Sequence, residues 1–296
     1  MEFIKKIVDQ NGPDQSDYHA LRIAIELIGA RLEQASSEIQ YHDFLDIILP
    51  ALSEESMQGF AFHKPHGYSG DYEIIDRIYI KSKSENENFR KWDEFFHTQE
   101  ATIAVRNRKE FFLNLLASSE IINKKLHVLN VGSGPGRDML EFFQNNPYTN
   151  IIFDCVDYDQ MAIEYASKLC ISYLDRIRFF NKNVFKFKPD QHYSIIWSAG
   201  VFDYLDNKKF VFLLNRLHAY IEPNGLLVIG NFSNNNPTRK YMELFGKWFL
   251  HHRSKQELIV LALEAGIEQK NITVVSEPLG VNLFLRINKI SETSAN

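Results

Sequence analysis

Cysteine is nearly absent from this chain of 296 residues: Cys155 and Cys170 are the two present, and neither sits in a CxxC pair or beside a histidine cluster. That scarcity removes a disulfide framework and a structural zinc site from the expectations and points to reduced core thiols in a reducing, cytoplasmic setting. Long hydrophobic runs are missing too. No stretch approaches the roughly 20 apolar residues of a membrane helix, and MEFIKKIVDQ at the N-terminus contains no long apolar run, so no membrane span is expected. Positive charge is not in excess: 33 Lys and Arg stand against 38 Asp and Glu, a net charge of −5, and there is no basic extension. Nothing electrostatic therefore favours a nucleic-acid partner. There is no GxSxG nucleophile elbow, and the histidines, among them His66, His97, His192 and His218, never pair with a carboxylate or thiol at a metal-ligand spacing.

What is present divides the chain in two. Over about 1–120 the apolar residues recur at helical spacing, as in YHALRIAIELIGARLEQ and FRKWDEFFHTQEATIAVRNRKEFFLNLL. From 121 to 296, short β-branched runs alternate with amphipathic segments: LHVLNV, IIFDCVD followed by QMAIEYASKLC, RIRFF, YSIIWSA followed by KKFVFLLNRLHAYI, GLLVIGNF, NITVVS and VNLFLRI. Strand–helix alternation predicts βαβ units on a mainly parallel, doubly wound α/β sheet, with the last two strands as a hairpin at its edge. SENEN at 84–88 reads as a polar loop and SETSAN at 291–296 as a frayed tail.

Glycine is used sparingly, 14 in all, so its clusters carry meaning. In LHVLNVGSGPGRD (126–138) an apolar strand runs directly into Gly132, Ser133, Gly134 and Gly136, after which a helix begins near Asp138. Such a turn lets backbone approach a ligand closely. The spacing is GxGxG, where a dinucleotide fingerprint would be GxGxxG. Twenty-one residues after Gly136 the next strand ends in Asp157, placed to accept hydrogen bonds from a ribose diol. Together they point to an adenosine-containing ligand.

Residues 125–287 resemble a class I S-adenosylmethionine-dependent methyltransferase: the family's glycine motif is matched by Gly132, Gly134 and Gly136, its ribose acid by Asp157, and its fourth-strand tip by SAGVFDYL. The resemblance implies a Rossmann-like fold, S-adenosylmethionine as cofactor, Tyr158 against the adenine, and Asn183 and Val184 of NKNVF at the adenine's edge. One position departs. Where the family most often has an acid two residues before the first glycine, this chain has Asn130, which can hydrogen-bond the methionine end of the cofactor but adds no charge pairing. A narrower resemblance, carried by KPHGYSGDYE, AVRNR, SAGVFDYLD, GNFSNNNP and MELFGKWFLHHR, is to bacterial methyltransferase-like proteins that include 3-hydroxy fatty acid methyl ester synthases.

Methyl transfer from a sulfonium is an in-line displacement, which asks a protein to align the partners and exclude water. An alcohol or amine acceptor also needs a base, whereas a carboxylate acceptor needs groups that orient it. Strand ends of open α/β sheets face ligands, which makes Ser198 a candidate cofactor contact and Asp203 and Asn231 candidate catalytic groups, against the plainer readings of a turn or helix cap. The N-terminal half is expected to form a helical lid. Within it, Tyr68, Asp71 and Tyr72 of KPHGYSGDYE are candidates for meeting cofactor or substrate, since aromatic faces attract a sulfonium. The alternative is a helix start with Ser69 as N-cap and Tyr72 at the third position. Arg106 and Arg108, two apart, cannot share one helix face. Either arginine is a candidate for a carboxylate of cofactor or substrate, with Arg106 taken as the cofactor contact and its ordinary surface pairing to Thr102 and Glu110 as the alternative. His251, His252 and Arg253 read as the cationic end of a helix, with Arg253 a candidate substrate anchor. Three functions stay open: a small-molecule methyltransferase, a cofactor-consuming enzyme such as an intramolecular cyclase, and a non-catalytic binder. Small molecules are the expected partners, and a homodimer is left open.

Overall fold

The structure, a computed structural model, describes residues 1–35, 38–119 and 125–290; SETSAN lies outside them. The chain divides into two compact units, Met1–Arg106 with Asn236–Phe249, and Asn107–Asn235 with Leu250–Asn296.

The first unit is helical: α1 (Glu2–Asp9), α2 (Tyr18–Ala35), α3 (Glu38–Ile48), α4 (Met57–His63), α5 (Tyr72–Tyr79), α6 (Glu87–His97) and the first residues of α7 (Glu100–Ser119). The long helical stretch of the sequence is thus broken at Thr98 and Gln99, and Arg22 Nη2 donates to the Thr98 carbonyl exposed by the break, 2.7 Å. SENEN is only half a loop, because Asn86 caps α6 by accepting from Asn88 N. Into this unit comes α11 (Arg239–Gly246) from far along the sequence. Its Tyr241 and Phe245 bury their rings against Phe95, Trp92 and Phe44, and Tyr241 Oη donates to Gln58 Oε1 at 2.7 Å.

The second unit is a seven-stranded sheet: β1 (Leu126–Val131), β2 (Ile151–Asp157), β3 (Ile177–Asn181), β4 (Tyr193–Ser198), β5 (Ile221–Phe232), β6 (Ile272–Ser276) and β7 (Asn282–Asn288), in the order β3-β2-β1-β4-β5-β7-β6. β1 to β5 are parallel; β7 runs antiparallel to both neighbours, making the closing hairpin with β6 at the edge. Helices α8 (Arg137–Asn145), α9 (Gln160–Leu169), α10 (Asn207–Ala219) and α12 (Lys255–Glu264) connect the strands. Side chains alternate across a strand, so Val128, Ile195 and Phe284 pack with α7 and α8 on one face while Leu129, Ile196 and Leu285 pack with α10 and α12 on the other. Both faces are covered, which is why these strands read as continuous apolar runs.

One charge lies inside this sheet. Asp154 of β2 is buried and accepts two 2.6 Å bonds from Arg178 of β3, one from Tyr193 Oη of β4 at 2.8 Å and one from Gln191. It raises the pKa of Arg178 by hydrogen bonding and adds to burial in raising that of Tyr193. Asp154→Ala strands the buried Tyr193 hydroxyl and is expected to cost about 3 kcal/mol in urea unfolding followed by tryptophan fluorescence.

Candidate functional site

β1 delivers the chain into the glycine turn at the carboxyl end of the sheet. Gly132, Gly134 and Gly136 all have positive φ, 68°, 56° and 74°, which side chains other than glycine adopt at a cost. A Cβ on Gly132 would stand 2.4 Å from Val201 Cγ2, so the turn lies directly on the loop after β4; one on Gly134 would meet nothing within 4 Å. The turn is therefore backed on one side and open on the other.

Asp157 ties this turn to the tip of β2. Gly134 N donates to its Oδ2 at 2.9 Å and Asp159 N to its Oδ1 at 3.0 Å. Burial pushes its carboxyl above the ordinary range despite those donors. A carboxylate accepts at about four lone-pair positions, so two N–H bonds leave room for a ribose diol. Tyr158, next along, is 78% exposed, and its carbonyl accepts from Asn181 Nδ2. Asn183 folds its own turn, its Oδ1 accepting from Phe185 N at 2.9 Å, and Val184 packs partly on the core. Asn130 and Ser133 are both buried, and Asn130 Nδ2 and Ser133 Oγ have no hydrogen-bond partner among the described residues. Such atoms cost about 1–3 kcal/mol each unless something else meets them. Glycine turn, ribose acid and unmet polar atoms fit S-adenosylmethionine, which has a ribose diol, a carboxylate and an ammonium to offer.

The other sheet candidates are engaged internally. Ser198 is buried and donates to Val131 O at 3.0 Å, pinning the tip of β4 to that of β1. Asp203 and Asn231 come together, but around Arg253: Asn231 Oδ1 accepts from Arg253 Nη1 at 2.7 Å, its Nδ2 donates to the His251 carbonyl at 2.9 Å, and Asp203 Oδ1 accepts from Phe232 N at 2.6 Å. Arg253 also donates to the carbonyls of Phe202 and Leu205 and lies over the Phe210 ring. The histidine–arginine run is thus not a helix end: α11 stops at Gly246, and Arg253 pairs with Ser233 beyond β5. Its guanidinium is spent on holding the β4 and β5 ends in register, which replaces the expected substrate anchor.

The remaining candidates belong to the helical unit. Asp71, rather than Ser69, is the N-cap of α5: its Oδ1 accepts from Glu73 N and Ile74 N, both 2.9 Å, and Gly70 at φ 69° turns the chain just before it. Tyr72 is therefore the first helical residue, and Tyr68, before the helix, shares no helix face with it. Tyr72 packs on His66, ring centroids 4.5 Å apart, and His66 Nε2 meets Glu73 Oε2 at 2.9 Å. Burial raises the Asp71 carboxyl; for Glu73 burial acts the same way, but hydrogen bonds from His66 and Arg77 outweigh it and leave it below the ordinary range. Of the two arginines, Arg106 turns to His97, donating to its carbonyl at 2.8 Å, while Arg108 reaches the β4 end with Nη1 on Ala199 O at 2.6 Å. Arg106 is thus engaged with His97 within the helical unit, and helix phase sends Arg108, two residues on, to the sheet. Among the described residues no group of three His, Cys, Asp or Glu side chains is arranged to hold a metal ion, and no helix is long and apolar enough to cross a membrane.

Comparison with known proteins defines the class. Residues 129–227 match a methyltransferase domain family. With the sheet order, the glycine turn and Asp157, this identifies a methyltransferase domain within the sheet unit. Malonyl-[acyl-carrier protein] O-methyltransferase 2 of Ilyobacter polytropus is 25% identical over 169 residues, 56% of this chain and 58% of that protein, so the match spans little more than half of the relative's length. Among solved structures, a possible exported protein from Bordetella parapertussis superposes with a TM-score of 0.67 over 94% of this chain and 99% of that one at 15% identity. The methyltransferase SibL, in its apo form, gives 0.51 over 93% and 76% at 13% identity. These two likenesses are of fold.

Burial pushes Asp203 up to about 6, with Phe232 N, Arg108 and Arg253 pulling the other way. The folded protein thus holds this proton more tightly than the unfolded chain, binds more protons between about pH 4 and 6, and loses stability as pH rises through that window. A shift of about two pH units corresponds to about 3 kcal/mol. Asp203→Asn removes the titration, so the stability difference between variant and wild type, from urea melts at pH 4 and pH 7, is expected to move by about that amount in the variant's favour at pH 7.

Proposed function

We propose that this chain transfers a methyl group from S-adenosylmethionine to a carboxylate, hydroxyl or amine of a small-molecule metabolite. The observation that carries this reading is the glycine turn, open at Gly134, tied to Asp157 and flanked by buried polar atoms without partners. The bound cofactor supplies an activated, sulfonium-borne methyl group. The chain's own share is placement: Asp157 accepts from the ribose, the glycine turn brings backbone N–H groups close, and the exposed Tyr158 ring lies next to the ribose acid, where an adenine can rest. In-line transfer depends mostly on such alignment. A small acceptor is favoured by the acidic balance of the chain and by the curated relative, whose name describes O-methylation of a malonyl group on acyl carrier protein.

Asn130 supports a second reading. An amide in place of an acid at this position offers the cofactor's ammonium no ion pair, which suits an enzyme that consumes S-adenosylmethionine by letting its own amine attack. Incubation with S-adenosylmethionine and an acceptor panel decides between them. S-adenosylhomocysteine formed only when an acceptor is present supports methyl transfer, and methylthioadenosine formed without any acceptor supports the second reading. Binding without turnover overturns both. Asp157→Ala is expected to weaken S-adenosylhomocysteine binding by about 1–3 kcal/mol in calorimetry, the scale of lost hydrogen bonds to a charged group, and unchanged affinity would remove the ribose role.

A further inference from the structure

Between α10 and the end of α12 the sheet unit carries a groove of about 470 Å³ that the methyl-transfer reading does not use; Lys208, Val211, Phe212 and Asn215 line it from α10, and Glu264 and Ala265 from the end of α12. The two walls are tied to each other, since Asn215 Nδ2 donates to the Ala265 carbonyl at 2.9 Å. Large apolar side chains exposed singly are ordinary, but here they gather. Phe212 is 56% exposed, and Val260 and Leu263, on the turn of α12 that ends in Glu264, are 41% and 42% exposed. The loop after β3 runs alongside: Phe185 stacks on Phe212, ring centroids 6.2 Å apart, and Arg216 Nη2 donates to the Phe187 carbonyl at 2.6 Å.

That loop and α10 also bring lysines together. Lys182, Lys186 and Lys188 are exposed along the loop, Lys208 lines the groove, and Lys209 is exposed beside it. Lys209 pairs with Asp206, whereas the side chains of Lys182, Lys186, Lys188 and Lys208 meet no acid among the described residues. Of the acids nearby, Asp190 faces Arg178 at 3.6 Å, and Glu264 stands on the opposite wall of the groove. A local surplus of cations on a chain of net charge −5 fits and steers a negatively charged partner. Charge alone does not fill an apolar groove. A nucleic acid brings phosphates without apolar side chains, and a bilayer is entered by protruding groups, not by a hollow. An amphipathic helix meets both demands, its apolar face in the groove and its acids on the lysines. We propose that the groove between α10 and α12, with the lysines beside it, docks an acidic amphipathic helix of a partner protein. The surface starts where the cofactor turn is fixed, because Lys182 N donates to the Asp157 carbonyl at 3.0 Å, so a docked partner adjoins the strand tip that holds that turn.

The probe is a fluorescein-labelled peptide of about 16 residues, stapled because helices of that length are marginal in water, with glutamates on one face and a leucine and a phenylalanine one helical turn apart on the other. Its binding to the full chain is read by fluorescence anisotropy; the same peptide with glutamine for every glutamate, a short DNA duplex and phosphatidylglycerol vesicles stand for the other occupants. In about 50 mM salt the acidic peptide is expected to bind about tenfold tighter than the glutamine peptide, and to lose most of that advantage in about 0.5 M salt, where surface charges are screened. Lys186→Glu combined with Lys208→Glu should abolish the preference for the acidic peptide, and Phe212→Ser should weaken both peptides by about tenfold, the scale of one buried aromatic anchor. These side chains are exposed, so the variants should keep the wild-type urea midpoint. No binding of the acidic peptide by wild type, equal binding of the acidic and glutamine peptides, unchanged binding by the variants, or tighter binding of the duplex or the vesicles overturns the proposal.

Discussion

A buried hydrogen-bond donor with nothing to donate to costs a protein about 1–3 kcal/mol, and folded chains rarely leave one so. Among the described residues Arg108 Nε, Asn130 Nδ2 and Ser133 Oγ are unmet near the adjoining ends of β1 and β4, while other polar groups there have partners: Ser198 closes on Val131, Asp157 on Gly134 and Asp159, Asn231 on Arg253. The contrast is informative because both sets lie at the same end of one sheet. Groups that hold the strand ends in register have found their partners inside the protein; Arg108 Nε, Asn130 Nδ2 and Ser133 Oγ have none among the described residues.

Asp203, Asn231 and Arg253 show the other side of the same constraint. They are the residue types of an active site, at strand ends where ligands bind, and they form a closed internal network instead. Burial keeps Asp203 reluctant to ionise even with two arginines acting on it. That network fixes the loop after β4, and this loop in turn backs the glycine turn through Val201. Stability and ligand geometry are joined there, because the scaffold that positions the turn holds a carboxyl group at odds with neutral pH.

The sheet was legible in the sequence because its signals are local: LHVLNV running into VGSGPG, IIFDCVD ending in Asp157, apolar runs of strand length divided by amphipathic helices. The structure returns these within a residue or two, except that β5 begins at Ile221, four residues ahead of GLLVIGNF. What stayed hidden depended on tertiary partners. Periodicity says that Arg106 and Arg108 point different ways, but not which way the sheet lies, so it could not tell that Arg106 meets His97 and Arg108 the β4 end. Asp71 caps α5 where Ser69 had been expected, since both are good caps and only the turn at Gly70 decides. Residue type also cannot tell whether an asparagine is already satisfied: Asn130 and Asn231 look alike in sequence, and one is unmet while the other is fully engaged.

The place of α11 has a consequence for how the chain is made. The helical unit closes around Tyr241 and Phe245, yet those residues leave the ribosome some 130 positions after the rest of that unit, behind five strands of the sheet. Domains usually fold in the order of synthesis. This one cannot: until α11 arrives, Phe44, Trp92 and Phe95 lack the rings they pack against. The helical unit therefore cannot close until five strands of the sheet have been made, and the nascent chain must carry that apolar surface unshielded until α11 follows them.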